Sequence, residues 1–91
     1  MSQDISAEFT QASEAVKKLS SAPDSATMLT LYGLFKQGSL GNCAGERPGM
    51  LDFVARAKFD AWKALDGISQ DDAKRQYVEL VQSLQAADKK H

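Results

Sequence analysis

Residues 29–41 read Leu-Thr-Leu-Tyr-Gly-Leu-Phe-Lys-Gln-Gly-Ser-Leu-Gly. With Met28 just before them, Leu29, Leu31, Tyr32, Leu34 and Phe35 recur at helical spacing. Their apolar surface is wider than one core-facing stripe requires, so this helix either has neighbours on two sides or covers a ligand cavity. Asp24 or Ser25 is placed to cap its start, and Gly38 and Gly41 are expected to terminate it. Upstream, Phe9, Ala12, Val16 and Leu19 predict a first helix over about Ser6–Leu19, with Ser6 as its cap and Ile5 as a hydrophobic staple. Downstream, Gly41–Gly49 is rich in turn residues and long enough to cross the molecule. A third helix follows over about Asp52–Leu65, with Phe53, Ala57, Phe59, Ala61, Trp62 and Leu65 as its apolar members, and Gly67 stops it. Ser69 and Asp72 then form an S-x-x-D box ahead of a fourth helix carrying Ala73, Tyr77, Leu80, Val81 and Leu84. No segment alternates with a period of two, and the tail Asp88–His91 is expected to fray. The expectation is an all-α, four-helix domain over residues 1–91, its long connection lying between the second and third helices.

Composition narrows the function. Ninety-one residues make one domain with a modest core, and 43% hydrophobic with 25% charged residues is globular rather than disordered. A net charge of -1 gives no general attraction to nucleic acid or to anionic membrane, so any anion site must be a local cluster of Lys and Arg. The single Cys43 excludes an internal disulfide framework and fits a reducing compartment. The start MSQDISAEF lacks the apolar run of a signal peptide, and no stretch has the apolar length to span a bilayer, which points to a cytoplasmic protein. The only histidine, His91, is terminal, and Cys43 has no histidine to activate it. Zinc spacings, calcium loops, glycine-rich nucleotide loops and P-loops are missing, so neither an enzyme nor a cofactor is expected.

What remains is a cluster. Tyr32, Phe35 and Lys36, at i, i+3 and i+4, share one helix face. A phenol, an aromatic face and an ammonium suit a ligand that carries a phosphate beside a flat base. On spacing alone, the same triad also reads as two core aromatics beside a solvated lysine. Lys58 stands among apolar residues of the third helix, where its stem can equally cover the core. Tyr77 belongs to the apolar stripe of the fourth helix and needs a partner for its hydroxyl, while Lys17 can serve the end of the first helix. Periodicity does not bring these groups to one point.

Residues 29–41, together with RPGMLDFVARAKFDAW over 47–62, resemble the acyl-CoA-binding protein family, whose defining stretches are L-x-x-Y-x-x-[YF]-K-Q-[AG]-x-x-G and RPG-x-x-D-F…AK-[WF]-DAW. Phe9, Val16, Leu19, Pro23, Met28, Ser69 and Tyr77 also fall in register, so the resemblance covers nearly the whole chain. It implies an up-down-down-up bundle with a shallow bowl for the CoA head group, and a carrier of medium- to long-chain fatty acyl-CoA that pools its ligand without reacting with it. By position, Tyr32, Lys36 and Lys58 correspond to residues that hold the ribose 3′-phosphate, and Phe35 to the aromatic packed on adenine. Lys17 and Tyr77 match further head-group contacts; Met28, Leu29 and Ser13 match residues near the pantetheine and acyl chain; Gly33 and Leu34 complete the implied site. The implied partners are the ligand, acyl-CoA-using enzymes and a transient membrane surface, with no nucleic acid and a monomeric state. Phe35 and Phe59 stand where Tyr and Trp are common, and Ala22 and Val54 where Lys is, making the rim less basic. Two rivals start from the same residues: a protein-interaction domain gripping a helix with Leu31, Leu34 and Phe35, and a DNA-binding helical domain, disfavoured by the balanced charge. An acyl-CoA thioesterase lacks an activated nucleophile.

Overall fold

The structure, a computed structural model, describes residues 5–88. It contains helix α1 (Ile5–Ala15), continued by a 3-10 turn (Val16–Lys18), then α2 (Ser25–Leu40), α3 (Phe53–Lys63) and α4 (Gln70–Asp88). Three starts are capped from the sequence immediately before them. Asp24 accepts from the Thr27 N–H at 2.8 Å, Asp52 from the Ala55 N–H at 3.3 Å, and Ser69 from the Asp72 N–H at 3.1 Å. Gly41, at φ 85°, closes α2 in a conformation that a side chain would resist.

Contacts along the helices give their directions. Ser6 meets Lys74, Phe9 meets Tyr77 and Ser20 meets Asp88, so α1 runs parallel to α4. Phe35 meets Tyr77 while Gln70 reaches the Gly38 and Ser39 carbonyls, so α2 runs against α4. Gly33 lies against Ala61 and the Gly41 carbonyl accepts from Trp62 Nε1, so α3 is parallel to α2. The order is up-down-down-up, and the 41–52 connection must travel the length of α3 to make it. Arg47 clamps that connection to α3 through a two-pronged ion pair with Asp60, at 2.9 and 2.6 Å.

The core is Phe9, Ala12, Leu31, Leu34, Ala73, Tyr77, Val78 and Val81, drawn from α1, α2 and α4; α3 contributes no fully buried residue. Beside it, Gln37 is wholly buried and donates to Asn42 Oδ1 and the Ile68 carbonyl at 2.8 and 2.7 Å, while the Gly67 N–H also reaches Asn42 Oδ1. One amide thus ties the end of α2 to both following connections. The described chain measures 39 × 37 × 16 Å, a slab little thicker than one helix layer.

Four local expectations need correction. Ser6 lies inside α1 rather than capping it, and its Oγ accepts from Lys74 Nζ at 3.0 Å. The α-helix ends at Ala15, not Leu19, and tightens into the 3-10 turn. Gly38 does not stop α2; it is buried in mid-helix, where an added Cβ would sit 3.0 Å from Lys74 Cγ and 3.3 Å from the Phe9 ring. Asp88 does not fray, because its carboxylate accepts from the backbone N–H and hydroxyl of Ser20; Lys89, Lys90 and His91 lie outside the described residues.

Candidate functional site

The wide apolar face of α2 is only half used by the core. Leu31 and Leu34 are buried, whereas Met28 and Phe35 stay open to solvent. Two open hollows flank the N-terminal half of the helix. One, of about 450 Å³, lies between α2, Tyr77 of α4 and the segment after α1, and is lined by Val16, Lys17, Leu19, Ala22 and Phe35 among others. The other, of about 610 Å³, lies between α2 and α3, with Leu29, Phe53, Val54, Ala57 and Lys58 in its walls. Pro23, Met28 and Tyr32 line both, so the two form one trough crossing the face of the slab.

Tyr32 is the hinge of the electrostatics. Lys36 Nζ lies 5.7 Å from the Tyr32 ring centroid and Lys58 Nζ lies 5.4 Å from it, one ammonium supplied by α2 and the other by α3. Lys36 also stands 5.8 Å from the Trp62 ring. Cation–π attraction holds both ammoniums in place at roughly 0.5–1 kcal/mol each. No carboxylate pairs with either among the described residues. Two like charges gathered without a counter-ion make a site for a doubly charged anion such as a phosphate monoester. Arg47, by contrast, is consumed by Asp60, whose hydrogen bond raises the Arg47 pKa and lowers the Asp60 carboxyl below its ordinary value.

Aromatic surface surrounds this charge. Phe35 stacks on Phe9 at 5.3 Å with a 26° tilt and leans on Tyr77 at 5.9 Å, leaving 39% of the residue exposed in the first hollow. A ring braced in this way offers a flat face at little entropic cost. Burial pushes the Tyr77 phenol pKa up, so it stays protonated, and its hydroxyl has no partner among the described residues. Lys17 borders the same hollow, 3.8 Å from Glu14.

The family model described as acyl-CoA-binding protein matches residues 6–81, which runs from α1 into α4. This chain belongs to the acyl-CoA-binding protein family. It is 43% identical to an acyl-CoA-binding protein of Brassica napus over 81 residues, 89% of this chain and 88% of that one. A homologue from Manduca sexta is 44% identical over 81 residues, covering 88% and 90%. The crystal structure of acyl-CoA-binding protein 2 from Oryza sativa superposes with a TM-score of 0.88 at 34% identity, covering 92% of this chain and 93% of that one.

Within this acyl-CoA-binding protein fold, the residues singled out in the sequence divide. Lys17, Met28, Leu29, Tyr32, Phe35, Lys58 and Tyr77 line the trough, and Lys36 overhangs its central ring. Three lie elsewhere. Gly33 and Leu34 are buried, Gly33 against the Ala61 backbone and Leu34 in the core, while Ser13 bonds the Thr10 carbonyl and lines neither hollow. Trp62 was missed. Its ring is the second support for Lys36 and its N–H is anchored on Gly41, and the signal was its place four residues after Lys58 on one face of α3. No described helix is long and apolar enough to cross a membrane.

Proposed function

We propose that this chain binds medium- to long-chain fatty acyl-CoA esters without reacting with them, and carries and pools them in the cytoplasm for enzymes that consume them. The observation that carries the reading is the convergence of Lys36 and Lys58 on the Tyr32 ring beside an apolar trough. Tyr32, Lys36 and Lys58 hold the ribose 3′-phosphate; Phe35 packs on adenine; Tyr77 and Lys17 reach the rest of the head group. Met28 and Leu29 guide the pantetheine and the first part of the acyl chain. Residues 1–91 act as one binding domain, a monomer.

Magnitudes favour sharing the work between head and tail. Each charge-assisted hydrogen bond to phosphate contributes roughly 1.5–3 kcal/mol net. A fully buried methylene contributes roughly 0.8 kcal/mol, less the cost of ordering the chain. A slab 16 Å thick cannot enclose a long chain, so the tail lies in an open groove and the folded-back head group covers part of it. Titration calorimetry should show palmitoyl-CoA binding far more tightly than free CoA. Lys36→Ala should cost roughly 1.5–3 kcal/mol toward acyl-CoA with unchanged helical circular dichroism, and much less toward the analogue lacking the 3′-phosphate. Equal losses toward both ligands would remove the assigned role.

A further inference from the structure

In the second hollow, charge and apolar surface adjoin with nothing between them. Of the residues that line it, Lys58 alone is charged. It stands at one end, its Nζ 5.4 Å from the Tyr32 ring that Lys36 also approaches. Because α3 runs parallel to α2 with Ala61 against Gly33, Phe53 and Val54 stand at the opposite end, with Ser25. They are 74 and 67% exposed, which leaves that end open and uncharged. From Ser25 to Tyr32, α2 rises about 10 Å, and Met28 and Leu29 supply the apolar wall between the two ends. In acyl-CoA the 3′-phosphate and the acyl chain lie at opposite ends of the molecule, so that ligand must fold back to meet both. The hollow also matches something shorter: a dianion joined directly to one apolar chain. Neither ammonium has a carboxylate partner among the described residues. A phosphate monoester, at about −1.5 to −2 near neutral pH, answers that pair, whereas a sulfate or a phosphodiester carries a single negative charge.

We propose that the second hollow also binds single-chain lipid phosphates, in which a phosphate monoester is joined, directly or through a short linker, to one alkyl or acyl chain. The phosphate accepts hydrogen bonds from Lys36 and Lys58, and the chain runs past Met28 and Leu29 toward Phe53 and Val54. The first hollow takes no part, so Phe35, Lys17 and Tyr77 stay uncovered. This binding needs only the lysine pair and the second hollow, and it stands whether or not acyl-CoA is a ligand. Where acyl-CoA does bind through the same two lysines, the two ligands exclude each other.

The test is titration calorimetry of the full-length chain with decyl phosphate below its micelle concentration. Decyl sulfate and decylphosphocholine serve as the singly charged and zwitterionic controls. Decyl phosphate should bind about tenfold more tightly than either control, and more tightly still than inorganic phosphate. Each methylene added from hexyl to decyl phosphate should raise the affinity, by up to about fourfold where it is fully sheltered. Lys58→Met, which keeps the apolar stem, and Lys36→Met should each weaken decyl phosphate about tenfold. Phe53→Ser should weaken decyl phosphate severalfold and hexyl phosphate much less. Octanoyl-CoA should be displaced competitively. Equal affinity for phosphate and sulfate, affinity independent of chain length, or undiminished binding to Lys58→Met each overturns the proposal. Loss of helical circular dichroism during the titration does so too, since it marks the probe as a surfactant. If octanoyl-CoA binds and decyl phosphate fails to bind or to displace it, this proposal falls alone. If decyl phosphate binds and octanoyl-CoA does not, the acyl-CoA reading falls alone.

Discussion

Gly33 illustrates how one missing side chain shapes the trough. A Cβ there would lie 2.7 Å from the Ala61 carbonyl oxygen and 3.3 Å from Leu65 Cδ1, so only glycine lets α2 and α3 approach this closely. Alanine is the better helix former by up to about 1 kcal/mol, but the obstacle is backbone and cannot swing aside. Gly33→Ala is therefore expected to destabilise the fold by about 1–3 kcal/mol in urea denaturation. It should also weaken acyl-CoA binding, since the second hollow widens as α3 is pushed off. Leu34 works differently: it is core, and its truncation to Ala should cost about 2–5 kcal/mol of stability while leaving the affinity of the folded fraction nearly intact. The two variants thus separate a residue that spaces the site from one that only holds the molecule together.

At the scale of elements, α2 positions most of the site, and its register depends on its start. Hydrogen bonding from Thr27 holds the Asp24 carboxyl below its ordinary pKa of 3.8. A carboxyl depressed in the folded state is protonated more readily in the unfolded chain, so its contribution is present above the unfolded pKa and fades as pH falls through the folded one. Asp24→Ala should lower the thermal midpoint near neutral pH, and the gap to wild type should close on acidification below 3.8. Thermal melts of both proteins across that range check the sign. A gap that stays constant into acid would mean that Asp24 acts through something other than its charge. The third helix, with no fully buried residue, depends instead on Gly33, the Trp62–Gly41 hydrogen bond and the Arg47–Asp60 clamp.

The whole molecule is a thin slab with its trough on one face. Residues lining that trough come from the segment after α1 and from α2, α3 and α4, so a bound ligand bridges parts of the chain that are distant in sequence. Ligand in hundredfold excess over its dissociation constant adds about 2.7 kcal/mol to the folded state. In a domain of this length, that corresponds to a thermal midpoint raised by about 10 °C or more. Scanning calorimetry with and without palmitoyl-CoA measures it directly, and an unshifted midpoint would count against binding across the helices.

What could be read from the sequence was local. Asp24, Asp52 and Ser69 announced three helix starts, Gly41 and Gly67 two stops, and the breadth of apolar residues on α2 announced a face larger than the core consumes. These signals are legible because capping and i, i+4 neighbours act within one turn of helix. The triad Tyr32, Phe35 and Lys36 was visible for the same reason. Tertiary structure alone decided that Lys58, 22 positions beyond Lys36 in the chain, shares its ring. It also decided that Gly38 packs instead of ending a helix, that Gln37 ties two connections together, and that Phe53 faces solvent. Those outcomes depend on how helices cross and on the path of the 41–52 connection. Both are set by packing between segments distant in sequence, which no short-range periodicity encodes.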